Sequence, residues 1–155
     1  MAGTVEQKLA AQGIVLNEPR TPMANYVGFV RTGHLLFVSG QVCANAEGKL
    51  IAKGKLGAGV TIEQGYAAAQ GCAVNLLAQV KAALGDLDKV ARVVRLGGFI
   101  SAVPAFVDGP KVMNGASDLM VTAFAEKGRH ARTTIGVSVL PLDAAVEVEG
   151  MFEVS

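Results

Sequence analysis

Near the end of the sequence, residues 132–153 contain two runs in which apolar and polar residues alternate, separated by the turn sequence Leu-Pro-Leu-Asp. Successive side chains of a β-strand point to opposite sides, so this period of two predicts two strands, each with one apolar and one polar face. A slip of one residue would turn every apolar side chain toward water, so the pattern also restricts the register. We expect the strands to pair as an antiparallel hairpin with both apolar faces toward the core.

The polar side of this predicted hairpin brings together side chains that could carry chemistry. A loop of four residues, 140–143, would place Thr134 opposite Glu149. Arg132 would lie one diagonal away, at roughly 7–8 Å. Arg132 can bind a carboxylate through two parallel hydrogen bonds, and Glu149 can orient or deprotonate a water molecule. A salt bridge from Arg132 to Glu147 or Glu149 explains the same residues, and on the spacing alone it is the better-supported interpretation.

The remaining sequence predicts an α+β domain in which two helices cover one face of a mixed sheet. The predicted order is two strands, a helix, a strand, a second helix and the closing hairpin. A capping-box sequence beginning at Thr61 starts the first helix, and Gly85 ends it. The other sheet face would then meet water or another subunit. A site on that face would lie in a groove between subunits.

Periodicity and turn residues give the boundaries of the other elements. Strands are predicted at residues 26–30, 35–39 and 89–103, the last with a bulge at Gly97-Gly98; an exposed loop is predicted at 44–59 and a helix at about 111–127. Gly65 and Gly71 in the first helix are expected to be compensated by close packing on the sheet. Residues 1–155 are expected to form a single domain, with 1–20 as an N-terminal helical extension.

Composition indicates one compact globular domain that needs neither disulfides nor a metal ion. The chain has 155 residues, of which 51% are hydrophobic and 17% charged. Such an apolar share suggests surface buried between subunits, although a well-filled monomer core explains it equally well. The net charge of +1, without a block of like charges, gives no footprint for nucleic acid or a membrane surface. Without a signal sequence or a long apolar run, a cytoplasmic location is expected.

The histidines, cysteines and glycines predict no further site. His34 lies at a hairpin turn, and His130 has no evident serine or aspartate partner, so no Ser–His–Asp arrangement is predicted. Cys43 and Cys72 lack metal-ligand spacing and are expected to be small buried residues. The glycine-rich segments lack the spacing of phosphate-binding or dinucleotide-binding loops. These residues therefore predict neither a zinc site nor a nucleotide-binding loop.

Three motifs, in this order and at this spacing, resemble the reactive intermediate deaminase family (RidA, also called YjgF), which many collections label "endoribonuclease L-PSP". The motifs are Tyr26-Val27, then Val38-Ser39-Gly40-Gln41-Val42, then Arg132 with Leu140-Pro141 and Val146-Glu147-Val148-Glu149. The resemblance covers the chain from about Tyr26 onward. It implies a chorismate-mutase-like ββαβαββ fold that forms homotrimers, with sites in the clefts between subunits.

The same resemblance implies an activity and roles for individual residues. Family members that have the arginine hydrolyse reactive enamines and imines, such as 2-aminoacrylate and its imine tautomer, to 2-oxo acids and ammonia without a cofactor. Arg132 would bind the carboxylate of a small substrate, and Glu149 would position the attacking water, which leaves Glu147 without a role. Tyr26 and Ser39 would line the pocket.

Two further positions carry over to the pocket, one of them with a change. Asn114 on the second helix matches a pocket asparagine, and Thr134 stands where the better-studied deaminases carry cysteine. The N-terminal helix and the segments around 53–59 and 103–109 make this chain longer than compact members, so it resembles a divergent, longer branch. The alternative function is a non-catalytic protein of the same fold that binds small organic acids or regulates through them.

Overall fold

The computed structural model describes residues 3–155, so the first two residues of the predicted single domain lie outside the described part. The helices are α1 (Thr4–Ala11), α2 (Ile62–Leu84) and α3 (Gly109–Phe124). The strands are β1 (Phe29–Thr32), β2 (Leu35–Val42), β3 (Lys55–Leu56), β4 (Gly59–Val60), β5 (Val90–Ser101), β6 (Ala131–Val137) and β7 (Val146–Val154). The predicted α+β class and the order of the main elements are confirmed.

Local signals in the sequence set the ends of α2. The hydroxyl of Thr61 accepts a hydrogen bond from the Gln64 backbone N–H at 3.1 Å, and the Gln64 side-chain oxygen accepts one from the Thr61 N–H at 2.9 Å. Gly85 ends the helix in the left-handed conformation at φ 79°. Both predicted ends of the helix are confirmed. They could be predicted from the sequence because a cap depends only on residues within one turn.

The glycines of α2 are compensated by close packing, but not against the sheet as predicted. A Cβ atom at Gly65 would lie 3.0 Å from Leu56 and from Val112 of α3, and one at Gly71 would collide with Ile51. A Cβ atom at Gly115 of α3 would likewise collide with a backbone carbonyl of α2. The small residues therefore allow the two helices to approach each other and the loop before β3.

The five main strands form one sheet in the order β1-β2-β7-β5-β6. The predicted hairpin between the last two strands is wrong, because β5 lies between them, parallel to β6 and antiparallel to β7. Thr134 is aligned with Gly98 and Glu149 with Gly97, so these two side chains do not face each other. β5 is buried along most of its length, and pairing along both of its edges satisfies its backbone polar groups. The prediction failed because alternation shows which face of a strand is buried but does not specify the neighbouring strand.

The alternation in β6 is correct, but the side chain of Ile135 does not face the core. Arg132 is aligned with the fully buried Leu96 and lies on the helix side of the sheet. Ile135 lies on the side away from α2 and α3, which we call the open face, and it is 45% exposed. β6 is an edge strand that is partly exposed on both sides, so burial does not dictate which side takes the apolar residues.

Three smaller differences separate the predicted and observed strands. The opening hairpin is confirmed, with Gly33 at φ 57°, but its first strand begins at Phe29 rather than at residue 26. The irregularities of β5 lie between Val90 and Arg92 and between Val93 and Arg95 instead of at Gly97-Gly98. The predicted loop 44–59 contains the short strand β3 and leads into β4, which is parallel to it.

The core lies between the sheet and the two long helices. Its largest fully buried side chains include Phe152 of β7, Leu96 and Ile100 of β5, Leu76 of α2 and Met113 of α3. Cys43 and Cys72 are buried and free, as expected. Within residues 3–155, no helix has the length and apolar character needed to cross a membrane.

The N-terminal helix is attached to this core. Leu9 of α1 is buried, and the carboxylate of Asp88 accepts hydrogen bonds from the backbone N–H groups of Thr4 and Val5, each at 2.8 Å. Lys81 of α2 forms an ion pair with Glu6 at 2.8 Å. From Gly3 onward, the first turn of the extension is therefore bonded to the domain.

Candidate functional site

The residues predicted to form one site are divided between two sides of the sheet. Arg132, Thr134 and Asn114 lie between β6 and α3 on the helix side, together with Ser117, which was not predicted; we call these four residues the arginine cluster. Tyr26 and Ser39 line one cavity beside β2 and β7 together with Glu147, which the resemblance had left without a role; we call these three residues the glutamate cluster. The predicted Glu149 lies outside both clusters.

In the arginine cluster, the guanidinium of Arg132 is held entirely by uncharged acceptors. Its Nη1 donates to Oδ1 of Asn114 at 2.8 Å and to Oγ of Ser117 at 3.2 Å, and its Nη2 donates to the Pro110 carbonyl at 3.5 Å. Among residues 3–155, no carboxylate lies within ion-pair distance of Arg132, so the salt-bridge interpretation is wrong. Within residues 3–155, Nε makes no hydrogen bond and Nη2 makes only the long one to the Pro110 carbonyl, so the Nε–Nη2 edge keeps N–H donors for an anion.

Thr134, two residues further along β6, has a hydroxyl oxygen that is buried and has no hydrogen-bond partner within the described chain. Its methyl group packs beside the start of α3, 3.3 Å from where a Cβ of Gly109 would lie. A buried hydroxyl without a partner costs about 1–3 kcal/mol relative to a satisfied one. A bound ligand or a neighbouring subunit that hydrogen-bonds this hydroxyl would recover that free energy.

The glutamate cluster surrounds a cavity of about 320 Å³ at the irregular end of β2. The hydroxyl of Ser39 donates to the Val27 carbonyl at 2.6 Å, while Tyr26 is 57% exposed. A side chain at Gly40 would collide with Oε1 of Glu147. The glycine of the Ser-Gly-Gln-Val motif therefore makes room for this carboxylate.

The segment that carries Tyr26 is positioned by two buried amides of α2, which the sequence pattern did not reveal. The amide of Asn17 donates to Oδ1 of Asn75 at 2.6 Å, and Nε2 of Gln79 donates to the carbonyl of Arg20 at 2.9 Å. Asn75 also donates to the carbonyls at the end of β2. Polar residues on the buried side of a long helix were the available signal, since such groups are retained where they find hydrogen-bond partners.

Glu147 and Glu149, which the alternation could not separate, have different surroundings. Burial raises the pKa of Glu147 above its ordinary value, and the negative charge of Glu149 adds to this effect. Glu149 instead lies 3.6 Å from Arg95 on the open face, where the two side chains are 46% and 41% exposed. Glu147 therefore faces the cavity that Tyr26 lines, whereas Glu149 lines a second hollow of about 260 Å³; Ser39 borders both.

His130 has a partner that the sequence did not predict. Its Nε2 lies 2.9 Å from Oγ of Ser117, and its Nδ1 lies 2.6 Å from the Gly128 carbonyl. Burial lowers the pKa of His130, and the charge of Arg132 acts in the same direction, although the Gly128 carbonyl opposes both. The expectation of no serine partner is wrong, because only the packing of α3 against β6 brings the two side chains together.

Comparison with known proteins agrees with this fold. Residues 6–153 match the family model described as "YjgF/chorismate_mutase-like, putative endoribonuclease". The chain belongs to the RidA/YjgF family. This confirms the resemblance of the motifs and the chorismate-mutase-like architecture.

Three similar proteins show how far the family likeness extends. Protein TCP17 of Trypanosoma cruzi is 45% identical over 155 residues, which are 99% of this chain and 96% of that protein. A protein of unknown function from Agrobacterium tumefaciens is also 45% identical, with a TM-score of 0.92, covering 97% of this chain and 92% of its own. A Shewanella oneidensis protein described as a "putative endoribonuclease" is 36% identical with a TM-score of 0.94, covering 98% and 100%. The likeness thus includes the N-terminal extension.

Proposed function

We propose that this RidA/YjgF protein hydrolyses reactive 2-imino acids of the 2-aminoacrylate type to 2-oxo acids and ammonia. The observation that carries the proposal is the uncompensated charge of Arg132, which is oriented by Asn114 and Ser117 but has no acidic partner in the described chain. A guanidinium held in this way favours an anionic ligand, and its free edge fits a carboxylate through two parallel hydrogen bonds. Thr134 supplies a further hydroxyl to the same ligand.

Hydrolysis requires little more than orientation and charge placement, because the imine carbon is already electrophilic. The oxygen of a water molecule attacks this carbon while the imine nitrogen gains a proton. The resulting tetrahedral carbinolamine then loses ammonia, and its hydroxyl becomes the carbonyl of the 2-oxo acid. Arg132 holds the carboxylate throughout, so the reacting carbon stays in a fixed place.

We assign the water-positioning role to Glu147 rather than to Glu149, which the motif comparison favoured. A carboxylate with a raised pKa is a better base near neutral pH, and Glu147 shares its cavity with Tyr26 and Ser39. Glu149 is more exposed and pairs with Arg95. Glu149 then contributes mainly through its charge, which helps to raise the pKa of Glu147.

The two clusters are proposed to meet between subunits of a homotrimer. Within one chain they lie on different sides of the sheet, so one chain cannot present both to one small molecule. Exposed Val30, Phe37 and Ile135 on the open face offer apolar surface for a second copy. The arginine cluster of one subunit would then complete its site with the glutamate cluster of a neighbour.

The decisive experiment generates 2-imino acids with an amino-acid oxidase and traps them with semicarbazide. The protein is expected to lower the yield of semicarbazone. Arg132→Ala is expected to lower the rate of hydrolysis by about 100-fold or more, because it removes two charge-assisted hydrogen bonds to the substrate carboxylate. Arg129→Ala is the matched control, because Arg129 is exposed and its only ion pair within residues 3–155 is with Glu126. Full activity in a folded Arg132→Ala protein would exclude the proposed role.

The second candidate function is a carrier or sensor of small organic acids. It is favoured by one observation: all residues of the arginine cluster, the proposed carboxylate site, come from a single chain. A binding protein would gain thermal stability from 2-oxo acids without changing the semicarbazone yield. RNA cleavage is less favoured, because a net charge of +1 offers little attraction for a polyanion.

A further inference from the structure

The side chains of Arg132, Ser117 and His130 form a continuous chain of hydrogen bonds that ends on the backbone carbonyl of Gly128. The successive distances are 3.2 Å from Arg132 Nη1 to Ser117 Oγ, 2.9 Å from Ser117 Oγ to His130 Nε2, and 2.6 Å from His130 Nδ1 to the Gly128 oxygen. The chain links β6, α3 and the turn before β6. It is separate from the Asn114 bond, which meets the same Nη1.

The direction of each bond follows from the chemistry of its two ends. The Gly128 carbonyl can only accept, so Nδ1 of His130 carries the proton. A neutral imidazole with its proton on Nδ1 must accept at Nε2, so the Ser117 hydroxyl donates to it. The Ser117 oxygen, whose hydrogen points to His130, then has its lone pairs available to accept a hydrogen bond, and Nη1 of Arg132 donates it. The effect of burial on the pKa of His130 favours this neutral form.

We infer that His130 is a positioning residue for Arg132, acting through the rotation of the Ser117 hydroxyl. With His130 in place, the Ser117 oxygen presents acceptor lone pairs to Nη1, and Asn114 holds the same nitrogen from its own side. Nη1 is thereby fixed, and the Nε–Nη2 edge keeps one orientation for a carboxylate. This inference rests on the proposed carboxylate-binding role of Arg132, but it does not require turnover.

Removal of His130 frees the hydroxyl of Ser117 to rotate. Its oxygen then no longer presents acceptor lone pairs to Nη1 of Arg132 in a single orientation. The long arginine side chain would sample more rotamers, and binding a ligand would require ordering it again. The predicted consequence is weaker carboxylate binding, with a smaller change in the rate at which bound substrate is hydrolysed.

The test measures two properties that do not depend on catalysis. The first is the NMR order parameter of the Arg132 Nε–H group, and the second is the dissociation constant of pyruvate. His130→Ala and Ser117→Ala are each expected to lower the order parameter and to raise the dissociation constant roughly five- to tenfold, the range typical of one lost hydrogen bond. The double variant is expected to match either single variant, because both break the same chain.

Two further variants separate positioning from a general loss of stability. His130→Gln can offer its side-chain oxygen near the place of Nε2, so it is expected to restore both measured properties in part, whereas His130→Leu is not. His34→Ala is the matched control, because within residues 3–155 the only hydrogen bond of the His34 side chain is with the Val154 carbonyl, at 3.2 Å. His34→Ala is expected to leave both properties unchanged.

The inference would be overturned if Arg132 stayed equally ordered in His130→Ala and Ser117→Ala. It would also fail if the nitrogen chemical shifts of His130 at neutral pH showed the proton on Nε2. A wild-type protein that hydrolyses no imino acid but loses order at Arg132 in both variants would contradict the proposed hydrolysis while supporting the positioning role. The two proposals can therefore fail separately.

Discussion

The arginine cluster and the glutamate cluster hold their charges in opposite ways. Arg132 is surrounded by uncharged acceptors that fix its orientation and leave one edge free. Glu147 is partly buried beside a glycine that makes room for it, with another carboxylate nearby. Neither charge is compensated in the described chain, one because it lacks an anion and the other because it lacks a cation. A shared site between subunits would bring the two incomplete halves together.

The largest expected effect distinguishes Glu147 from Glu149 on β7. Glu147→Gln removes the proposed base and is expected to lower imino-acid hydrolysis by about 100-fold or more, the usual contribution of general base catalysis. Glu149→Gln makes the same substitution on the same strand. Its rate of hydrolysis is expected to stay within about threefold of wild type, because the charge of Glu149 is largely exposed. Steady-state rates in the semicarbazide assay measure both. The reverse order of effects would return the role to Glu149.

A mixing experiment tests whether the two clusters belong to one site. Arg132→Ala and Glu147→Gln are each expected to be inactive, but subunits refolded together in equal amounts should regain about a quarter of wild-type activity, because a random assembly pairs an intact arginine with an intact glutamate at that frequency. Each variant refolded alone is the control. Persistent inactivity of the mixture, with mixed trimers demonstrated by mass measurement, would contradict the shared site.

A smaller effect is expected at Thr134. Thr134→Val keeps the shape of the side chain but removes the hydroxyl that has no partner in the described chain. Without ligand, the variant is expected to be more stable by about 1 kcal/mol, since an unsatisfied buried polar group is removed. Pyruvate binding should weaken at the same time. Urea unfolding measures the stability, and titration calorimetry measures pyruvate binding. Thr133→Val, at the neighbouring exposed position, is the control in both. Equal pyruvate binding by Thr134→Val and wild type would exclude Thr134 from the site.

The smallest expected effect concerns stability as a function of pH. The pKa of Glu147 is raised in the folded protein, so ionisation of this carboxyl opposes folding at neutral pH. Glu147→Gln should therefore unfold at a higher temperature than wild type near pH 7. The difference should shrink as the pH falls through the raised pKa and vanish below the ordinary value, where Glu147 is protonated in both the folded and the unfolded chain. A difference that grew on acidification would contradict the burial of this group.

Several features of the fold could be predicted from neighbouring residues alone. The capping box at Thr61, the stop at Gly85 and the turn at Gly33 depend on interactions within a few residues, and each is confirmed. The motif spacing was also sufficient to identify the family, as the match over residues 6–153 shows. Such features survive because local hydrogen bonds and backbone conformations change little with the surrounding fold.

The sequence by itself determined the main helices and strands, the alternation, and several polar residues of the two clusters, among them Arg132, Asn114 and Thr134. Only the tertiary structure decided that β5 separates β6 from β7, that Arg132 turns toward α3, and that Ser117 meets His130. The physical reason is that strand pairing, burial and contacts between elements depend on residues far apart in the chain. A period of two places Arg132 and Ile135 on opposite faces of the same strand, but only packing between elements decides which of these faces meets the helices.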